Sequence, residues 1–259
     1  IKSRVTVGTI HSLIKLPREW FKYFECVIYD EITEFVSDKR RTIFDLASAP
    51  FLLGLTATPD ISRCKIFELN IGPRLIATEI KGYSEEEIPW KVSLYPIKYH
   101  GADENTIRIK SKIGLTSTVE MDKQFMMDDE RNKLIIEKVK YLRSIGKNIF
   151  IFTSLCEHTE ILKNLIEESV IYTGSKKENI ETAPIIITTY KFCSKGISIP
   201  RMNAIILASP RIADTYQTIH RILRISGNIE EERFIYDIID YKTTLKSQYT
   251  HRKKIYVEL

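Results

Sequence analysis

Short apolar runs, several of them separated by segments of helical spacing, recur along this chain: residues 27–30, 52–56, 149–153, 170–172, 185–189, 204–208 and 234–239. Runs this short and this apolar read as strands buried on both faces. Strands joined through helices lie parallel in one sheet, so the pattern predicts an α/β fold. In such sheets ligands collect at the carboxyl ends of the strands. The residues that follow each run therefore carry the functional information.

The chain divides into three stretches. Over residues 1–80 the pattern predicts strands at 5–9, 27–30 and 52–56, a connecting segment at 20–24 and a helix over 40–49, with Pro50 at the turn. Over 81–127 the run Glu85-Glu86-Glu87 with Pro89, Pro96 and Gly101 breaks the alternation, and short strands are expected at 92–97 and 107–109. This stretch reads as a linker or insertion. From 128 a second strand–helix series begins. Asp128-Asp129-Glu130 opens a helix, where acidic residues suit the dipole. Leu134, Ile135, Val139 and Leu142 line its apolar face and Gly146 ends it. Helices are expected over 157–166 and 215–223, and the tail is basic.

Composition limits the possibilities. With 259 residues, 43% hydrophobic and 28% charged, the chain suits one large or two modest domains with a charged surface. No apolar run approaches the roughly 18–20 residues of a membrane span. No basic-then-apolar signal peptide opens the chain. Its start inside an apolar–polar alternation suggests a piece of a longer protein. A net charge of +5, from 39 basic and 34 acidic residues, permits a phosphate-rich partner without requiring one. Four cysteines without a CxxC pair fit reduced intracellular thiols, and the five histidines lack metal-ligand spacing.

Chemistry enters at the strand ends. Cys26-Val27-Ile28-Tyr29 runs into Asp30-Glu31, the form of a Walker B element. Aspartate there can hold Mg²⁺ through water, and glutamate can deprotonate the water that attacks a phosphate. Alone, such a pair is the ordinary solvated end of a strand; the downstream elements give it meaning. Gly54-Leu55-Thr56-Ala57-Thr58-Pro59 follows one helix and one strand later, which puts two small hydroxyls beside the carboxylates. Thr188-Thr189 and Gly196-Ile197-Ser198-Ile199-Pro200 bracket a short helix and suit phosphate or ribose contacts. In Gln217-Thr218-Ile219-His220-Arg221-Ile222-Leu223-Arg224 the two arginines stand three apart, so on a helix they share a face and can grip a triphosphate.

Taken in order, these elements resemble helicase superfamily 2, the DExD/H-box ATPases. Thr9-Ile10-His11-Ser12-Leu13 corresponds to a nucleic-acid contact element, Asp30-Glu31 to motif II and Thr56-Ala57-Thr58 to motif III. Phe152-Thr153-Ser154 is similar to motif IV, Thr189 with 196–200 to motif V, and 217–224 to motif VI. Asp-Asp-Glu-Arg-Asn-Lys at 128–133 and the terminal 252–256 look most like the phage UvsW type, which includes transcript-release helicases of poxviruses and counterparts in other large cytoplasmic DNA viruses, African swine fever virus among them.

The resemblance implies two RecA-like lobes: the C-terminal part of the first over 1–80, and the second over 128–259. It implies Glu31, Arg221 and Arg224 as catalytic residues, and Asp30, Gly196, Ser198 and Gln217 as ATP contacts, Asp30 through Mg²⁺. It implies Thr9, Ser12, Ser154 and Thr189 on DNA or RNA, with Thr33, Thr56 and Thr58 coupling the two events. The expected setting is the cytoplasm of an infected cell, with the transcription machinery as a partner. Thr33 stands where motif II normally ends in His or Asp, Ser198 where motif V usually has aspartate, and His220 where glycine is usual. No Gly-x-x-x-x-Gly-Lys-Ser/Thr phosphate loop occurs. This chain is therefore expected to bind ATP poorly and to lack turnover by itself. The alternative is a nucleic-acid-binding scaffold of helicase fold without ATPase activity.

Overall fold

The computed structural model describes residues 4–56, 64–76, 90–101, 109–110, 114, 116–193, 199–211, 215–223 and 230–257. The chain falls into two compact units, Ile1–Glu86 and Glu87–Leu259.

In the first unit, α1 (Ile10–Leu13) and α2 (Arg18–Phe21) precede β1 (Cys26–Tyr29), a 3₁₀ turn (Ile32–Val36), α3 (Asp38–Leu46), β2 (Phe51–Gly54) and α4 (Cys64–Asn70). The strands pair in parallel with Tyr29 opposite Gly54. Alternation turns Val27 and Tyr29 toward a small core with Phe21, Ile32, Ile43 and Phe44. The ring of Tyr29 meets Phe44 edge-on at 5.2 Å. Residues 5–9, expected as a strand, join neither sheet; Val7 is exposed and Thr9 caps α1 instead.

In the second unit, β3 (Val92–Tyr99), α5 (Thr118–Met126) and α6 (Asp129–Ser144) lead into β4 (Ile149–Thr153), α7 (Cys156–Leu165), β5 (Ser169–Ile171), β6 (Ile185–Thr189), α8 (Tyr190–Cys193), β7 (Ala204–Leu207), α9 (Thr215–Ile219), β8 (Arg233–Asp240) and α10 (Lys246–Tyr256). Six parallel strands lie in the order β3-β8-β7-β4-β6-β5. Odd residues of β4 pack with α6 and α7 through Ile135, Val139, Leu142 and Leu162, and even residues pack with Ile219 and Ile222 on the other face. The double burial explains why these strands read as unbroken apolar runs. Residues 92–99 and 118–126, expected within a linker or insertion, are built into this unit: β3 pairs along its whole length with β8, and Met121 and Phe125 of α5 are buried with Leu245. The prolines and glycines of 81–127 obscured that strand, and Pro96 sits without penalty on an edge strand.

Two buried ion pairs tie helices to β8. Arg131 of α6 forks onto Asp240, with Nη2 donating to Oδ2 at 3.3 Å, and its Nε donates to the Ala208 carbonyl at 2.9 Å. Arg252 of α10 forks onto Asp237 at 2.9 Å through both Nε and Nη2, and the Tyr256 hydroxyl donates to the same carboxylate at 2.6 Å. The side chains of Arg131 and Asp240 are 0% and 1% exposed. Removing one partner of a pair this deep strands the other charge. Asp240→Ala is expected to lower unfolding free energy by about 3–5 kcal/mol in urea titration. A loss below about 1 kcal/mol would show that water reaches Arg131.

Candidate functional site

The first unit places its candidate residues around one backbone crossing. Tyr29 ends β1, Asp30 is exposed, and Glu31 takes a left-handed conformation, φ 48° and ψ 53°. That conformation is costly for a residue with a Cβ and persists where neighbours fix it. They do so here: Leu55 N–H donates to the Tyr29 carbonyl, and Ile32 N–H donates to the Leu55 carbonyl, both at 2.9 Å. A Cβ at Gly54 would lie 2.4 Å from Ile32 Cδ1, so glycine lets the Ile32 side chain pack over this strand end without shifting. Asp30 Oδ1 accepts from Glu31 N–H at 3.0 Å. The segment holding Thr56 is thus stitched to the one that presents Asp30, Glu31 and Thr33. Thr9 and Ser12 share a hydroxyl contact at 3.1 Å on exposed α1. Thr58 lies outside the described residues.

The second unit gathers its candidates at the carboxyl ends of the strands. Thr153 pairs in register with Thr189, so Ser154 and Thr189 end adjacent strands, β4 and β6. The Ser154 hydroxyl is buried next to the Asp122 carboxyl, close enough to act on it as a hydrogen-bonding neighbour. Burial pushes the Asp122 carboxyl up to about 7, opposed by Ser154, Arg131 and Arg211 and reinforced by Asp240. Gln217 is half-buried on α9. That helix is shorter than expected and closes in i→i+3 turns, Arg221 N–H to Thr218 and Ile222 N–H to Ile219. Arg221 is 7% exposed, drawn in with Thr218, Ile219 and Ile222. His220 packs on Tyr216, ring centroids 4.1 Å apart. Gly196, Ser198 and Arg224 lie outside the described residues.

Sequence reading missed Asp122; it read 252–256 only as a signature, and 128–133 as a signature and a helix opening. Asp128 Oδ1 caps α6, accepting from Arg131 N–H at 3.1 Å and from the Tyr99 hydroxyl at 2.8 Å. Asn132 Oδ1 lies 2.9 Å from His158 Nε2. Arg131, Arg252 and Tyr256 hold the ion pairs on β8. No signal in the sequence ties Arg131 to an aspartate 109 residues away.

The second unit's parallel sheet, with helices on both faces and polar residues at its carboxyl edge, has the architecture of a RecA-like helicase domain. The whole chain superposes over 97% of its length on the crystal structure of T4 UvsW, covering 55% of that chain with a TM-score of 0.50 and 20% identity. Over 98% of its length it superposes on Saccharomyces cerevisiae Dbp5 bound to RNA and ADP BeF3, covering 63% of that chain with a TM-score of 0.59 and 14% identity. Among curated sequences it is 26% identical over 288 residues to an African swine fever virus protein named as an ATP-dependent RNA helicase, which spans 97% of this chain and 54% of the relative. It is 26% identical over 276 residues to an Acanthamoeba polyphaga mimivirus protein of the same designation, 98% of this chain and 51% of that one. It is 25% identical over 275 residues to the ATP-dependent DNA helicase uvsW of Enterobacteria phage T4, 98% of this chain and 53% of that one. No family model matches. The chain spans about half the length of the curated relatives it matches. The resemblance to superfamily 2 and its UvsW type, read from the motifs, is borne out by these relatives. No helix among the described residues is long and apolar enough to cross a membrane.

Two buried groups set opposite pH dependences on stability. Burial, with Arg131 nearby, depresses His158 from 6.5 to about 3, so the unfolded chain takes up a proton first and His158 costs stability as pH falls below 6.5. Asp122 is raised from 3.8 to about 7, so the folded chain takes up a proton first and gains stability as pH falls from 7 toward 3.8. Between pH 6.5 and 5 each amounts to roughly 2 kcal/mol, and they offset. Asp122→Asn should therefore lose stability over that window and His158→Gln should gain it, by urea titration at both pH values. Parallel profiles for both variants would contradict these environments.

Proposed function

We propose that this chain is part of an ATP-driven superfamily 2 helicase or translocase acting on DNA or RNA, its units corresponding to the two helicase lobes. The observation that carries the reading is the strand-end pair Asp30-Glu31, held beside Thr56 by the two 2.9 Å backbone bonds. The helicase names of relatives aligned over nearly the whole chain support it.

In the full-length protein Glu31 takes the proton of the attacking water. Arg221 and Arg224 hold the charge that develops on the transferred phosphoryl group, while Gln217, Gly196 and Ser198 contact the nucleotide. The described residues contain no group of three side chains that could hold a metal alone. Asp30, exposed at the end of β1, would hold a Mg²⁺ through water together with nucleotide phosphates, where the ion would neutralise phosphate charge. Thr9, Ser12, Ser154 and Thr189 bind the polynucleotide backbone; Thr33, Thr56 and Thr58 couple the two events. Action in the cytoplasm of an infected cell, alongside a transcription machinery, accords with viral relatives.

Phosphate release by the full-length protein, with and without single-stranded nucleic acid, tests the reading. Stimulated turnover is expected, and Glu31→Gln should lower kcat by about 10² to 10⁴ while ATP still binds. An unchanged kcat removes Glu31 from the role of base. No turnover under any condition leaves the non-hydrolysing scaffold.

A further inference from the structure

The basic residues of the second unit are treated differently at the two edges of its sheet. At the amino edge three have a carboxylate, Lys91 meeting Glu230 at 2.7 Å, Lys147 meeting Glu231 at 3.3 Å and Arg233 meeting Glu231 at 3.2 Å, while Arg201 donates to the Ile180 and Ala183 carbonyls. At the carboxyl edge three basic side chains converge on one ring. Lys246 Nζ stands 3.9 Å and Lys98 Nζ 5.2 Å from the Tyr241 centroid, and the His100 ring lies 5.4 Å from it.

Neither Lys98 nor Lys246 has an ion pair among the described residues, and both are exposed. Asp240, the neighbour of Tyr241, is committed to Arg131 on the opposite face of β8. Lys246 also opens α10, whose first turn holds no acidic residue. A cation there opposes the helix dipole. Two ammonium groups gathered on one ring, one at the wrong end of a helix and neither neutralised by a carboxylate, form a place for an external anion. Tyr241 follows β8, two strand spacings along the same edge from the end of β4 and Ser154, about 10 Å.

We propose that Lys98 and Lys246, gathered by Tyr241 with His100, form a second contact for the phosphate backbone of a single-stranded polynucleotide. The proposal rests on the nucleic-acid reading above and adds a surface outside its motifs. The ring acts as a positioning residue: cation–π attraction holds the two ammonium groups where mutual repulsion would part them.

The test is fluorescence anisotropy of the 259-residue chain with labelled oligo(dT) and oligo(rU) over a salt series. Lys98→Ala with Lys246→Ala should weaken binding and flatten the log–log salt slope by about 1.4, at about 0.7 per phosphate contact on a single strand. Lys138→Ala with Lys140→Ala on α6 changes net charge equally and should leave the slope in place. Tyr241→Phe should bind as the parent does, whereas Tyr241→Ala should weaken binding, with thermal unfolding confirming that each variant folds. The oligo(dT) and oligo(rU) arms show whether the contact serves DNA, RNA or both. An unchanged slope in the Lys98/Lys246 variant, while Ser154→Ala with Thr189→Ala still weakens binding, overturns this proposal and leaves the motif reading standing. If the parent chain binds neither oligonucleotide, both fall.

Discussion

The second unit depends on β8 more than on any other strand. Asp237 and Asp240 stand three apart, and strand alternation turns them to opposite faces of the sheet. One grips Arg252 of α10 and the other grips Arg131 of α6. A single strand thereby fixes a helix on each side. A charge buried this deeply is tolerable only with its partner and its remaining hydrogen bonds in place. Ala208 and Arg211 supply backbone carbonyls to the two guanidinium groups, so both clamps also pin the chain that leaves β7.

That arrangement bears on function through geometry. The carboxyl ends of parallel strands are where an open α/β sheet presents ligand-contacting groups. Here the same edge carries the buried Ser154 hydroxyl, Thr189, Asp122 and the Tyr241 cluster, and the ion pairs anchor β8, the second of its six strands. Rigidity is placed beneath the loops that would contact a ligand. In the first unit a much smaller device does comparable work: two backbone bonds set Glu31 in a left-handed turn beside Thr56, and a glycine leaves room for Ile32.

Much of this fold was legible in the residues. Strands β1, β2 and β4 to β8 announced themselves as apolar runs because both faces, or one, are buried, and α6 announced itself by its acidic cap and apolar stripe. The motif order also predicted that Thr56 would stand beside Asp30. Edge strand β3 was obscured because Pro96 and exposed alternate positions dilute its pattern. Residues 5–9 alternate like a strand but join neither sheet. The short α9 was over-read because its apolar residues continue through i→i+3 turns, which bury Arg221. Long-range pairs such as Arg131 with Asp240 leave no local periodicity, so residues that marked a family resemblance turned out to hold the fold together.

Hydrogen exchange on the chain, with and without saturating single-stranded polynucleotide, tests the account most directly. Its central claim is that nucleic acid lies along the carboxyl edge of the second sheet. The account predicts slowed exchange just beyond β4, around Ser154 and Leu155, beyond β6 at Tyr190 and Lys191, and from Tyr241 to Lys246. Amides at the amino edge, near Asn148 and Asn203, should exchange as before. Protection confined to the amino edge, or binding with no protection at the carboxyl edge, would contradict it.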